Sequence, residues 1–254
     1  MALNKVTEKI QGHPDWHATS LADFEEWVDI VQDRTDTTIF RGQRKYWPLL
    51  PSISRNHDLE MVLVHERELL EKFKKEAPRT LQLVPKSDWD WLVVAQHHGL
   101  PTRLLDWTFD AYVALWFALY KAESDDSKPE VWVMNPLKDD VIQSLDKARP
   151  FSGKRTKVFK PNFNIPRVKV QKGCFTLFKY VERGSKGFVR LEQNKYLSNR
   201  LERIRISKNF LKTILNQLSV MGFTKEMMYP DTDEVARKIK KEVLEKDTQQ
   251  ARWS

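Results

Sequence analysis

The sequence is short of several things, and each shortage removes a class of explanation. A single cysteine, Cys174, stands among 254 residues, so no disulfide can close within the chain and a cysteine-based zinc site lacks its ligands. No stretch approaches the ~18 consecutive apolar residues that a membrane crossing takes, and the opening residues MALNKVTEKI have no apolar core of a secretion signal. The expected location is therefore cytoplasmic, with no membrane partner. Glycine occurs 8 times, but nowhere in a GxGxxG, GxxxxGKS/T or GxSxG arrangement, and HExxH is missing too. Those absences set aside the standard phosphate-binding loops, the serine-hydrolase elbow and the zinc-protease helix. His13 and His17 are four apart, yet Pro14 interrupts them, so no metal is expected there.

The charge that is present is unevenly placed. The nine basic residues between Lys147 and Lys172 outweigh the net charge of +8, and no acidic residue lies among them. Phe151, Phe159 and Phe163 are interleaved with them. That mixture suits phosphate contacts and base stacking, making Lys154, Arg155, Lys157 and Lys160 candidates for nucleic-acid binding. The same residues read equally well as a solvated loop, and PFSGKRTKVFKPNFNIP has the prolines, the glycine and the lack of period of a mobile surface segment.

Helix signals are clear. Ser20 with Asp23 forms a capping box ahead of Leu21, Phe24, Trp27 and Val31, which predicts a helix over 20–33. A longer amphipathic helix is expected over 58–77. Ser87 with Asp90 opens a third, which places Trp91, Val94, Ala95 and His98 on one face and ends at Gly99. Residues 102–106 read as a short strand and 109–122 as a helix apolar nearly all round, hence buried. Strands are expected at 131–136 and, with a bend at Gly173, over 168–180. A helix over 208–221 and a charged one over 231–247 complete the reading. Together these give an α+β fold, one compact helix-rich domain around a small central sheet, with residues 1–36 as an N-terminal helical segment and 241–254 as a charged helix end and tail.

Arg41 is the residue that most asks for an explanation. In TTIFRGQRKYWPLL it ends a β-branched and aromatic run, with Ile39 on its own side of the strand and Phe40 on the other. A guanidinium on a rigid strand presents a fixed fork of donors to a phosphate or a carboxylate, and Gly42 lets another backbone or a ligand come close. The alternative is a clamp onto a buried carboxylate such as Asp106. Downstream, QHHGLPTRLLDWT brings His97, His98, Arg103, Asp106 and Thr108 into an otherwise apolar stretch, with one histidine expected to face inward. Thr108 or Asp110 is placed to cap the buried helix, and any amide left over there would attract an anion. Cys174, within GCFTLF, is expected to be buried.

Four blocks carry a resemblance: IFRGQ at 39–43, QHHGLPTRLLDWT with VALWFA at 96–118, QKGCFTL at 171–177 and MGFTKEMMYPD at 221–231. Together they resemble the FRG domain family of bacteria and their viruses, which sets the expected domain at 37–240. The layout is also similar to that of ADP-ribosyltransferases, in which an early strand's arginine or histidine grips NAD and a late acidic residue supports the reaction. That resemblance implies an ADP-ribosyltransferase-like or NAD-glycohydrolase-like enzyme in a toxin or phage-defence setting, with NAD as substrate and no metal. It implies Arg41, His98, Asp106 and Gln171 as catalytic residues, and Arg41, Gly42, Gln43, His97, Arg103 and Thr108 as cofactor-binding ones. Gln171 stands where those enzymes carry an acid; an amide cannot serve as a carboxylate, so Asp106 or Glu226 is the substitute. The competing expectations are a non-catalytic nucleic-acid or nucleotide binding module, or a phage-host interaction protein.

Overall fold

Helix and strand alternate irregularly along the chain, and a computed structural model describes residues 5–10, 13–35, 37–54, 62–81, 83–122, 126–162, 165–182 and 187–230. In order, the elements are β1 (Lys5–Ile10), β2 (His13–Ala18), α1 (Leu21–Gln32), β3 (Ile39–Gln43), α2 (Val62–Glu76), α3 (Asp88–His97), β4 (Leu104–Thr108), α4 (Ala111–Leu119), β5 (Glu130–Met134), β6 (Lys157–Phe159), α5 (Pro166–Val170), β7 (Gly173–Leu177), β8 (Tyr180–Val181), β9 (Gly187–Phe188), β10 (Leu201–Ile206), α6 (Leu211–Val220) and α7 (Lys225–Met228). The fold is mixed α and β, as expected. Its main sheet is larger than expected, with eight strands among the described residues in the order β1-β2-β10-β5-β3-β4-β7-β6.

Both capping boxes form. Ser20 and Asp23 close the start of α1, and Ser87 and Asp90 close the start of α3, each pairing satisfying backbone donors that the first turn would leave open. The helix expected over 58–77 is found as α2, that over 109–122 as α4, and that over 208–221 as a 3₁₀ turn followed by α6. The predicted helix at 231–247 and the tail at 241–254 lie outside the described residues. Two expectations are corrected. Residues 1–36 are not simply helical, because β2 pairs parallel with β10 and puts Trp16 and Ala18 into the core. Residues 166–170 form α5 rather than a strand, since Pro166 supplies a first-turn residue that needs no amide donor. Strand β10, LERIRI, was not expected. Its alternation sends Ile204 and Ile206 to one face and Leu201 to the other.

The sheet has two packed faces. On one, α1, α4 and α6 cover Phe40, Val131, Val133, Ile204 and Ile206. Thr108 sits opposite Phe40, so alternation brings Leu104 to this same face, where it packs with α3 residues such as Trp91 and Val94. Helix α4 therefore roofs the β3-β5-β10 half, and α3 roofs the β4-β7 half. The opposite face carries Ile39, Trp107, Trp132 and Leu201 under loops that include Leu49, Ile53 and Leu191.

Gly42 shows why α4 lies where it does. A Cβ at this position would sit 1.8 Å from the Ala114 carbonyl oxygen and 2.6 Å from the Ala118 amide nitrogen. Two alanines one turn apart thus bring the helix backbone onto the strand, a separation that only glycine allows.

Candidate functional site

Strands β3 and β4 are paired at a single position, Phe40 opposite Thr108. Had the ladder continued, Arg41 would lie opposite Trp107 and Gly42 opposite Asp106. Instead β3 follows β5 with five residues in register, while β4 follows β7 with five of its own. The strands part, and a cavity of about 340 Å³ opens between them. That is the low end of the ~300–1,000 Å³ range of small-molecule sites. Val93, Gln96 and His97 of α3 and Val113, Ala114 and Phe117 of α4 wall it on one face of the sheet, with Arg41, Gln43, Arg44, Trp47 and Trp107 coming from β3, its following loop and β4. Arg167, Val168 and Gln171, from α5 and the residue after it, line it further.

The parted strands change who bonds to whom. Arg41 Nη1 donates to the backbone carbonyl of Asp106 at 2.7 Å, and its Nε donates to Gln43 Oε1 at 3.3 Å. Gln43 is itself fixed, its Nε2 donating to the Trp47 carbonyl at 2.9 Å and to Glu130 Oε1 at 3.3 Å. Glu130 is fully buried and accepts from Trp132 Nε1 at 2.9 Å and from Arg203 Nη1 at 3.2 Å. Burial pushes its carboxyl above the usual range, opposed by Arg203 and these hydrogen bonds. The Arg41 guanidinium is thus set by a buried chain of partners that starts on β10.

Asp106 is the sole acidic residue among those lining the cavity, against Arg41, Arg44 and Arg167. Its side chain is exposed and accepts from Gln96 Nε2 at 3.0 Å, while Gln96 Oε1 accepts from Thr102 Oγ1 at 2.7 Å. His97 is half-buried. Burial first, then the charges of His98 and Arg167, hold its imidazole below the ordinary value, with Asp106 pulling the other way. At neutral pH it is therefore the uncharged form that faces the cavity.

Seven of the expected residues meet here: Arg41, Gly42, Gln43, His97, Asp106, Thr108 and Gln171. Three other expectations change. His98 does not face inward: it follows α3 as its C-cap, is exposed, and its ring rests beside Phe73 at 6.2 Å and His97 at 5.0 Å. Arg103 turns away into an ion pair with Glu66 of α2, donating through Nε to both carboxylate oxygens at 2.9 Å, with both side chains buried. The start of α4 offers no spare amides to an anion through Asp110, because its carboxylate accepts from Tyr112 and Val113 nitrogens at 3.0 and 3.3 Å and pairs with Lys172 at 2.8 Å. Thr108 Oγ1 donates to the Gln171 carbonyl at 2.6 Å, and Gln171 Nε2 donates to the Met228 carbonyl at 2.9 Å. The amide of Gln171 is thus turned toward α7, and Glu226 is not among the lining residues.

Arg167, Arg44, Gln96 and Trp47 were not singled out from the sequence. Arg167 was visible only as one charge of the basic segment; it belongs to the cavity because α5 packs next to β7 and stacks it over Tyr229 at 4.4 Å. The rest of that segment is spread out. Lys154 and Lys160 are exposed, Lys160 lying over Phe109 at 5.8 Å; Lys157 is half-buried on β6, and Arg155 pairs with Asp140 at 3.2 Å. Burial holds the Cys174 thiol high, within the core. Among the described residues no group of three or more histidine, cysteine, aspartate or glutamate side chains could hold a metal, and no helix is long and apolar enough to cross a membrane.

Residues 36–127 match the family model of the FRG domain, a stretch that takes in β3, α2, α3, β4 and α4 and so most of the cavity's walls. The match covers 92 of the 254 residues, and over that stretch the chain is similar to the FRG domain. The match is shorter than the 37–240 expected; Arg167, Gln171 and the blocks at 171–177 and 221–231 lie beyond it. No curated protein and no solved structure matches the chain.

Proposed function

We propose that the cavity binds NAD and that the protein acts on its nicotinamide bond, as an ADP-ribosyltransferase-like or NAD-glycohydrolase-like enzyme in a toxin or phage-defence setting. The observation that carries this reading is the gap between β3 and β4, with three guanidinium-bearing residues and one carboxylate-bearing residue around it among aromatic walls. Such a site selects a ligand that is anionic at one end and flat at the other. The Arg41 fork, held by Asp106 and Gln43, takes the pyrophosphate with Arg44 or Arg167. Phe117, Trp107 and Phe175 suit the nicotinamide ring. The cavity accommodates one half of the dinucleotide, and the other half lies across its mouth.

In hydrolysis the C1′–N bond breaks, its electron pair going to the pyridinium nitrogen, so nicotinamide leaves neutral. Water oxygen bonds to C1′ and one proton is released. With another nucleophile in place of water, the product is an ADP-ribosylated acceptor. Asp106 supplies negative charge beside the developing oxocarbenium ion, and neutral His97 accepts the proton.

Nicotinamide release from NAD tests the reading. Wild type is expected to turn over, Asp106→Asn to be slower by about a hundredfold, and Arg41→Ala to lose NAD binding, both at unchanged melting temperature. Binding without release would leave a nucleotide-binding module; neither binding nor release, with water or with nucleic-acid and protein acceptors, would overturn the proposal.

A further inference from the structure

The loop after β3 carries exposed rings where the sheet carries cations. Tyr46 and Trp47 are 43% and 41% exposed. The Tyr46 ring has Arg205 at 4.9 Å, Lys128 at 5.2 Å and Arg203 at 5.4 Å. Cross-strand register explains the cluster: Arg41 faces Trp132 and Trp132 faces Arg203, while one step along Gln43 faces Glu130 and Glu130 faces Arg205. Two rows therefore run from the cavity across β3, β5 and β10 on one face of the sheet. The loop is pinned over them, with the Lys128 amide donating to the Arg44 carbonyl at 2.7 Å and Lys45 paired with Asp126. Trp47 and Arg44 line the cavity as well, so the patch and the cavity share an edge. Among the described residues, the acidic partners of these cations are the buried Glu130, paired with Arg203, and Asp126, paired with Lys45.

We infer that the Arg44–Trp47 loop with Lys128 and Arg205 binds single-stranded nucleic acid, stacking a base on Trp47 at the cavity mouth. Exposed rings among cations are what an unpaired strand requires: every base offers a face to stack, and each phosphate a charge to meet. A duplex hides its base faces and gains only the electrostatic part. Of the rings described in the basic segment at 147–172, Phe159 is buried in the core and Phe151, 37% exposed, has its face against the Arg103 guanidinium at 4.8 Å, whereas Trp47 is exposed at the cavity itself. Combined with the proposed activity on NAD, and resting on it in this respect only, the bound strand is the acceptor.

Fluorescence anisotropy of labelled strands of about 12 nucleotides, DNA and RNA, against the matching duplex tests this without NAD. The single strand is expected to bind more tightly than the duplex and to weaken steeply between about 50 and about 200 mM salt. Trp47→Ala is expected to lose about tenfold in affinity and Trp47→Phe to retain most of it, with Arg205→Gln and Lys128→Gln each flattening the salt dependence. The RNA and DNA arms show which sugar is preferred. The inference is overturned by absent binding, by binding indifferent to Trp47→Ala, or by binding abolished at Lys154→Glu with Lys157→Glu while Trp47→Ala retains it. Nicotinamide release in the absence of nucleic acid is read separately, so failure of one proposal does not pass for failure of the other.

Discussion

Arg41 donates to a backbone carbonyl on β4 and to a glutamine on its own strand, which aligns its fork at the expense of rotamer freedom. A lysine there keeps the charge but not the planar pair of donors. Arg41→Lys is accordingly expected to weaken ADP-ribose binding by about tenfold, read by calorimetry, while the melting temperature stays within a few degrees. His97 behaves differently because burial and neighbouring cations disfavour its charged form. Its folded value lies below the ordinary 6.5, so between the two values the unfolded chain binds more protons and stability falls as pH drops from 6.5 toward the folded value. The melting temperature should therefore decline less between neutral pH and about pH 5 in His97→Gln than in wild type. Cys174, buried and held protonated, is expected to stay unlabelled by a thiol reagent in the native protein and to label fully on unfolding.

At the level of elements, the seam between β3 and α4 is the most demanding contact. The helix backbone occupies the space a Cβ would need at Gly42, and backbone cannot swing aside as a side chain can. Gly42→Ala is expected to cost about 3 kcal/mol or more, a fall of about 6 to 12 °C in melting temperature. The glycine of the motif serves helix packing, and the arginine beside it serves the cavity. The Arg103–Glu66 pair ties α2 to β4 in the interior. Glu66→Gln leaves the guanidinium buried without its counter-charge, for an expected loss of about 3 to 5 kcal/mol in denaturant unfolding. Capping boxes and the apolar run of α4 were legible in the sequence because their signals are local. Arg103 was not separable from the cavity residues, since only the placement of α2 decides which way it turns. Helix α5 was mistaken for strand because VKV has the composition of a strand and only Pro166 speaks for a helix. His98 and His97 differ by one position, and the end of α3 decides which one faces the cavity.

Across the whole molecule, sequence order and spatial order diverge. Strand β10 comes late in the chain yet lies between β2 and β5, so the first strands and a late one complete each other. No window of the sequence contains that pairing, and the buried Arg203 hid the alternation of LERIRI. Deleting residues 1–18 removes Trp16 and Ala18 from the core and bares β10 as an edge. The shortened protein is expected to lose about 3 kcal/mol or more from the buried tryptophan alone and to aggregate on heating, seen by light scattering.

The lone Phe40–Thr108 pairing gives the sheet the mechanics of a clasp. The Arg41 bond to the Asp106 carbonyl is a second tie across the gap, so a molecule filling it would brace two halves of the sheet that share little backbone pairing of their own. Amide exchange along Gly42–Gln43 and Leu105–Trp107 would then slow when that molecule is in place, letting the backbone itself report the presence of a ligand.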